Sequence, residues 1–137
     1  MNDGMLQIGE VAERAGLSLR TVRYYEETGL LEPAKRTDGG FRLYTDEHVD
    51  RLVLSKRMKP LGFTVQQMRE LLDARETLID NAADEDARES ARDRLSEFAA
   101  LAATACEKLR EQLARGDEVA KQLRLESLPP RISASRD

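Results

Sequence analysis

The spacing of apolar residues near the start of the chain predicts two short helices separated by a tight turn. Ile8, Val11 and Ala15 recur at the three- and four-residue intervals that place side chains on one face of an amphipathic helix. Gly16 interrupts this pattern, and Ser18 has a side-chain oxygen of the kind that accepts a hydrogen bond from a free backbone N–H at a helix start. We therefore expect a helix, a glycine turn and a second, capped helix.

The second of these helices, over residues 19–28, has few apolar positions. We expect it to bury little beyond Val22 and part of Tyr25, so most of its surface is polar. Cations, hydroxyls and phenols are the groups that hydrogen-bond phosphates and base edges. Side chains of this kind are Arg20, Thr21, Arg23, Tyr24 and Tyr25. Two helices joined by a glycine turn, the second with such a surface, predict a helix-turn-helix that places its second helix in the major groove of DNA.

A hairpin is predicted after the second helix. Gly39 and Gly40 tolerate the positive φ of a tight turn, and the segments 34–36 and 41–44 on either side of it can pair as two short strands. Apolar and polar residues alternate along the second strand, so one face is expected to pack and the other to reach the DNA. The candidate DNA contacts on this wing are Arg36, Arg42 and Tyr44.

Two further helices are predicted before residue 75. Thr45 is a suitable N-cap for the first of them, and Pro60 ends it. Thr64 and Gln67 have the spacing of a capping box, which starts the next. The expected inner stripe of the first helix is Val49, Leu52, Val53 and the aliphatic part of Lys56, and that of the second is Val65, Met68, Leu71 and Leu72. Lys59 is a further candidate for DNA contact.

A longer periodic segment, over residues 84–125, predicts one long helix that needs a partner. Its apolar positions step by alternating threes and fours, which is typical of a coiled-coil seam. The expected dimer-interface residues are Leu95, Phe98, Ala102, Ala105, Leu109, Val119 and Leu123. Gly116 falls on this seam and is expected to weaken or kink the helix. Residues 126–137 are broken by proline and polar, which predicts a disordered tail.

The sequence of residues 21–31, TVRYYEETGLL, resembles the signature of the MerR family of bacterial transcription regulators. The wing candidate, residues 32–45, follows in the order that this family shows, and Leu61-Gly62-Phe63-Thr64 is similar to its second wing. The resemblance runs from about residue 6 to residue 72. It implies a winged helix-turn-helix, an antiparallel dimerisation helix, and activation by bending and untwisting a promoter spacer, with RNA polymerase at the promoter as a further candidate partner.

Charge and composition limit these expectations. The 137 residues carry 22 Lys and Arg against 26 Asp and Glu, a net charge of −4, which argues against a nonspecific, charge-driven DNA coat. Residues 1–75 hold 12 of each sign and are neutral overall, so any basic surface there must come from the arrangement of its cations. Without an apolar run near the ~20 residues of a membrane span, or a secretory signal, we expect a cytoplasmic protein with no membrane partner.

Metal and catalytic chemistry are not expected. Cys106 is the one cysteine, and a single thiol is a poor tight metal site, so we interpret it as a small residue beside the seam and expect no metal or cofactor. His48 is interpreted as a surface residue. Glu26 and Glu27 are expected to form local ion pairs with Arg23 or Arg20 rather than to act as acid and base. No catalytic motif is present, so the chain is not expected to be an enzyme.

The sequence thus predicts a mainly α protein: a winged helix-turn-helix over 1–75, a linker and coiled-coil dimerisation helix over 76–125, and a disordered tail over 126–137. The predicted function is a homodimeric, sequence-specific transcription regulator on a pseudo-palindromic operator of double-stranded DNA. Two alternatives remain open. One is an effector-independent repressor or architectural DNA binder, and the other is a coiled-coil adaptor that docks another protein.

Overall fold

The structure, a computed structural model, describes residues 5–32, 35–36, 38–40 and 42–131. In these segments five α-helices, a short 3-10 helix (Lys59–Leu61) and three short strands follow one another. The helices are α1 (Ile8–Ala15), α2 (Leu19–Glu27), α3 (Asp46–Met58), α4 (Val65–Ile79) and α5 (Glu85–Glu126), and the strands are β1 (Leu6–Gln7), β2 (Lys35–Arg36) and β3 (Arg42–Tyr44). The prediction of a mainly helical, winged helix-turn-helix followed by a long helix is confirmed.

The turn between α1 and α2 forms as its residues predict. Gly16 has φ 70°, a left-handed conformation that glycine adopts without a Cβ penalty, and its N–H donates to the carbonyls of α1. Ser18 then caps α2, because its Oγ accepts a hydrogen bond from the backbone N–H of Thr21 at 3.1 Å. The side-chain Nζ of Lys56, on α3, donates to the carbonyl of Gly16 at 3.0 Å and so connects α3 to this turn.

The wing belongs to a three-stranded antiparallel sheet with the order β1-β3-β2. Lys35 pairs with Leu43 and Arg36 with Arg42, in agreement with the predicted hairpin. Residues 34 and 41, which were also expected in these strands, lie outside the described part of the chain. Strand β1 was not predicted, and it pairs with the other edge of β3. The described part of the wing is therefore joined to the segment directly before α1.

Helices α3 and α4 start with the predicted caps. Thr45 accepts from the backbone N–H of His48, and Thr64 accepts from that of Gln67 at 3.1 Å. In each case the later side chain bonds back to the N–H of the cap, which gives two capping boxes. The predicted inner stripe of α3 is partly wrong, since its fully covered residues are Leu52, Ser55 and Met58, while the Lys56 side chain is exposed and reaches the turn before α2.

The core lies where α1, α2, α3, α4 and the sheet meet. Its most completely covered side chains are Val11, Val22, Leu30, Leu31, Leu43, Tyr44, Leu52, Met68 and Leu72. Ser55 is also buried, and its hydroxyl donates to the carbonyl of Arg51 at 2.8 Å, so that its polar group is satisfied. Burial at both Leu30 and Leu31 fixes the chain that leaves α2 for the wing.

Helix α5 runs for 42 residues, and Asp84 directly precedes it, with a side chain that accepts from the backbone N–H of Ala87 at 2.8 Å. The helical pattern continues through Gly116. Compact packing divides the chain into Met1–Ala100 and Leu101–Asp137. The first unit includes the start of α5, where Arg94 pairs with Glu70 of α4 and with Glu97. No helix of the described residues is long and apolar enough to cross a membrane.

The prediction that Phe98 belongs to an intersubunit seam is wrong for this residue. Its side chain is 2% exposed within the single chain, because the ring packs 5.8 Å, centroid to centroid, from that of Phe63. The guanidinium of Arg94 covers it at 4.7 Å from the ring centroid. The helical spacing that suggested a seam thus serves the packing of α5 onto its own subunit at this position.

Candidate nucleic-acid interface

A surface groove of about 840 Å³ lies between the outward face of α2 and the turn that leads into α4. Residues of α2 form one side, and the segment from Lys59 to Met68 forms the other. The lining side chains are Arg20, Thr21, Arg23, Tyr24, Tyr25, Glu27, Lys59, Phe63, Thr64, Val65 and Met68. The groove therefore brings together six of the nine residues that were predicted to contact DNA. These six are the five predicted residues of α2 and Lys59.

Three cations of the groove have free charged groups. Arg20, Arg23 and Lys59 are exposed, and their side chains form no ion pair or hydrogen bond within the described part of the chain. The nearby Arg42 and Arg51, by contrast, are each bound to carboxylates. Three cations around one groove, without an internal counterion, suit the binding of phosphate oxygens.

Two adjacent tyrosines give the groove a phenol at its surface and another near its base. Tyr24 is 51% exposed, whereas Tyr25 is buried, and their ring centroids are 5.8 Å apart. The pKa of Tyr25 is raised above its ordinary value, mainly because the phenol is buried and to a smaller extent because Tyr24 lies beside it. The Tyr25 phenol therefore stays protonated at neutral pH and keeps its ability to donate a hydrogen bond.

Thr21 both contacts the cap of α2 and lines the groove. Its hydroxyl lies 2.9 Å from that of Ser18, and its backbone N–H binds the same Ser18 oxygen. The side chain is half-buried and lines the groove beside the exposed arginines. Its hydroxyl is thus oriented by the cap of the helix that carries the cations.

Two of the three wing residues predicted to contact DNA, Arg42 and Tyr44, have side chains that are held by the chain itself. Tyr44 is fully buried, its hydroxyl donates to Glu26, and its ring meets that of His48 edge-on at 5.6 Å. The prediction of a DNA contact by the Tyr44 side chain is therefore wrong. The alternation failed because β3 is the central strand of three, and both of its faces are covered at Leu43 and Tyr44.

Arg42 is half-exposed, but it is not free. Its Nη1 lies 2.9 Å from Oε1 of Glu26, and its Nε is buried without a hydrogen-bond partner among the described residues. Arg36 lies opposite Arg42 in the sheet, and its side chain lies outside the described residues. The expectation that Glu26 pairs with Arg23 or Arg20 is wrong, since this carboxylate of α2 binds the wing instead. Nothing in the local sequence distinguishes Glu26 from its neighbour Glu27, because the partner of Glu26 lies 16 residues further along the chain.

A second set of contacts holds the chain that leaves α2. Nε and Nη2 of Arg51, on α3, donate to the carbonyl of Leu30 at 3.1 and 3.0 Å. The same guanidinium pairs with Asp73, at 3.7 Å, and with Glu76 on α4. Arg51 thus joins the end of the helix-turn-helix to both following helices, and it is mostly buried where it does so.

His48 borders the same region and is half-buried, so its interpretation as a surface residue is wrong. Its Nδ1 accepts a hydrogen bond from the backbone N–H of Thr45 at 2.9 Å. The pKa of His48 is lowered below its ordinary 6.5, mainly by burial of the ring and next by the charge of Arg51. Smaller effects that raise this pKa come from Glu47, Glu76 and the backbone of Glu32. The neutral ring is therefore the form that completes the cap of α3.

Apolar side chains remain exposed along α5. Those at 40% exposure or more are Leu101, Leu109, Leu113, Val119, Leu123 and Leu125. Leu101, Leu113 and Leu125 were not part of the predicted seam, while Leu95, Ala102 and Ala105 are half-buried. Cys106 is free and half-buried beside this stripe, and the described residues contain no group of three or more His, Cys, Asp or Glu placed to hold a metal.

Comparison with known proteins places residues 6–75 in a family. This segment matches the family model described as the MerR HTH family regulatory protein. The mercuric resistance operon regulatory protein of Bacillus cereus is 46% identical over 66 residues, which cover 48% of this chain and 50% of that protein. The regulator ZntR of Escherichia coli K12 is 44% identical over 71 residues, 52% of this chain and 50% of its own length. The chain thus matches about half the length of these curated relatives.

A solved structure extends the similarity beyond the matched segment. The N-terminus of MtaN, the multidrug transporter activator of Bacillus subtilis, is 30% identical and superposes with a TM-score of 0.53. The match covers 90% of this chain and 99% of that one, so it includes most of the long helix.

Proposed function

The chain belongs to the MerR family of helix-turn-helix regulatory proteins, and from that premise we propose that it is a sequence-specific, DNA-binding transcription regulator acting as a homodimer in the cytoplasm. The observation that carries the proposal is the groove on α2, where Arg20, Arg23 and Lys59, which have no ion-pair partner in the part of the chain that the structure describes, lie beside the half-exposed phenol of Tyr24. These side chains can bind phosphates and base edges while the rest of the acidic chain repels nonspecific contact.

The dimer is supported by the exposed apolar stripe on α5. Leu109, Val119 and Leu123 are each more than 40% exposed, and a soluble helix with such a stripe buries it against a partner. A second copy of the same helix is the partner that gives a two-fold axis. Two helices α2 related by that axis would then read a pseudo-palindromic operator, whose half-site spacing follows from the dimer.

Bending and untwisting of the promoter is the proposed mode of action, with RNA polymerase recognising the deformed DNA. The groove offers few groups that discriminate between bases, since its cations and phenols suit phosphates as well. Selectivity would therefore come partly from the energy needed to deform the sequence between the half-sites. An architectural binder or effector-independent repressor would use the same contacts but would not depend on the position of the site within a promoter.

The exposed leucines of α5 also fit a coiled-coil adaptor that binds a different protein, and this is the second candidate. In such an adaptor the groove residues would not select a DNA sequence. The two functions therefore differ in what the purified chain selects from a pool of random duplexes.

The test is to incubate the purified protein with a pool of random-sequence duplexes and with sheared bacterial DNA, and to sequence what is retained. We expect enrichment of a pseudo-palindrome that lies between promoter elements with an overlong spacer. The matched control is the Arg20→Ala/Arg23→Ala variant, which should enrich nothing. Retention of random sequence by both proteins, or of none by either, would overturn the proposal. Enrichment at positions unrelated to promoters would favour the architectural binder.

A further inference from the structure

We propose that Glu26 is a positioning residue for DNA binding, which holds Arg42 of the wing in the orientation that meets a phosphate. The proposal rests on the proposed DNA-binding function and adds a role to an acidic residue within the recognition helix α2. Its basis is the arrangement of one carboxylate between two side chains of strand β3.

The two oxygens of Glu26 have separate partners on the wing. Oε1 lies 2.9 Å from Nη1 of Arg42, and Oε2 accepts a hydrogen bond from the hydroxyl of Tyr44. Arg42 and Tyr44 are two residues apart in a strand, so their side chains leave the same face of β3. A carboxylate that holds both of them fixes this face of the wing against α2.

Glu26 is buried enough for this contact to matter. Its side chain is 12% exposed, whereas the Arg42 side chain is 39% exposed. An ion pair that is partly shielded from water is weakened less by salt than a surface pair. Arg42 has five N–H donors, and the ion pair with Glu26 engages one end of its guanidinium. Nε is buried, so the donors that remain for a phosphate are those of the Nη groups, while Glu26 fixes the direction of the guanidinium.

Glu27 provides a comparison built into the same helix. It is exposed and lines the groove, and its side chain has no partner within the described part of the chain. By charge alone, replacing either glutamate with glutamine removes a repulsion from DNA and should tighten binding. If Glu26 positions Arg42, Glu26→Gln must instead weaken binding. The sign of the change therefore separates positioning from simple charge removal.

The binding experiment uses the duplex that the unmodified protein enriches from a random-sequence pool, with dissociation constants from fluorescence anisotropy at several salt concentrations. We expect Glu26→Gln to weaken binding about tenfold, as for a lost phosphate contact, and Glu27→Gln, which removes an unpaired carboxylate from the groove, to tighten it. In an Arg42→Gln background, Glu26→Gln should have almost no further effect. Tighter binding by Glu26→Gln, or an equal loss in both backgrounds, would overturn the proposal.

A second measurement needs no DNA, so it separates this inference from the proposed function. In ¹H–¹⁵N spectra of the full chain, the Nε–H of Arg42 should exchange slowly with water, and it should exchange faster in Glu26→Gln. If no duplex is enriched but this difference is seen, the proposed function fails and the contact between α2 and the wing stands. An unchanged Arg42 signal would overturn the inference whether or not DNA is bound. If Glu26→Gln does not fold, Tyr44→Phe serves in the same spectra, because it frees one oxygen of the carboxylate and should also raise the exchange rate.

Discussion

The ring of Phe63, in the wall of the groove, lies 5.8 Å from the ring of Phe98 on α5. This pair joins the candidate DNA interface to the first turns of the long helix within one compact unit. Because the two rings are in contact, a shift of the long helix at Phe98 should also displace the segment between Lys59 and Met68, which forms the side of the groove opposite α2. Because both rings are buried, the pair also contributes to the stability of the unit.

Removing the ring of Phe98 should lower the free energy of unfolding. Phe98→Ala leaves a cavity beside Phe63 and exposes apolar surface, for which we expect a cost of about 3–5 kcal/mol. Urea unfolding followed by circular dichroism at one fixed protein concentration measures the change. Leu128→Ala is the control, because Leu128 is 57% exposed and its truncation should change stability by less than about 0.5 kcal/mol. Equal effects of the two substitutions would show that Phe98 is not part of the core.

Arg23 should be required for DNA binding but not for folding. Its charge is exposed in the groove and has no partner among the described residues, so Arg23→Ala loses a phosphate or base contact of about 1–3 kcal/mol and leaves the core intact. Fluorescence anisotropy with the selected duplex at fixed salt measures this loss. Arg75→Ala makes the same charge change at an exposed residue that does not line the groove, and it should retain most of the affinity. Unaltered affinity in Arg23→Ala would reject its assignment to the interface.

His48 should make the protein less stable as the pH falls. Its pKa is lowered in the folded state, so below about pH 6.5 the unfolded chain binds more protons and the free energy of unfolding decreases. The physical reason is that Nδ1 must stay unprotonated to accept the N–H of Thr45. Thermal or urea unfolding between about pH 7.5 and about pH 5.5 measures the slope.

The variant His48→Gln tests the origin of that slope. Glutamine at this position can still accept the N–H of Thr45, as Gln67 does for Thr64 in the same chain, but it does not titrate. The variant should fold and show a smaller loss of stability towards acid pH. If the two proteins lose stability in parallel, the pH dependence comes from other groups.

The exposed stripe on α5 should control the oligomeric state. Leu109→Glu combined with Leu123→Glu places two carboxylates where the proposed partner helix packs, so we expect monomers that bind half-sites weakly. Sedimentation equilibrium at micromolar concentration measures the mass. Ala114→Glu adds charge at an exposed position of the same helix that lies outside the predicted seam, and this control should stay dimeric. An unmodified protein with the mass of one subunit would contradict the proposed homodimer.

The features that local chemistry specifies were predictable from the sequence. Gly16, Ser18 and the pairs Thr45/His48 and Thr64/Gln67 act within three residues of their partners, so their turns and caps could be recognised without any tertiary contact. The long helix was predictable for the same reason, from its uninterrupted period. Five of the residues that line the groove, all on α2, were predicted because their side chains are polar on a helix that buries little else.

Contacts between distant residues were not predictable in the same way. A strand of two residues, Leu6–Gln7, has no recognisable period, so the alternation along β3 was interpreted for an open hairpin rather than a central strand. Tyr44 was therefore expected on the surface, and the wing partner of Glu26 was missed. At Phe98, the heptad spacing is the same whether the ring meets a second subunit or Phe63 of its own chain. Only the folded arrangement distinguishes these cases.

The pairing of Leu6 with Tyr44 also has a consequence for the order in which the molecule assembles. The two strand segments are far apart in the sequence, and bringing them together restricts the chain that contains both α1 and α2. Helical turns form much faster than such nonlocal strand pairs. We therefore expect the helix-turn-helix to form before β1 and β3 pair, so that α2 and its cations would be in place before Glu26 contacts β3. Kinetic experiments would then find α2 protected from hydrogen exchange earlier in refolding than strand β3.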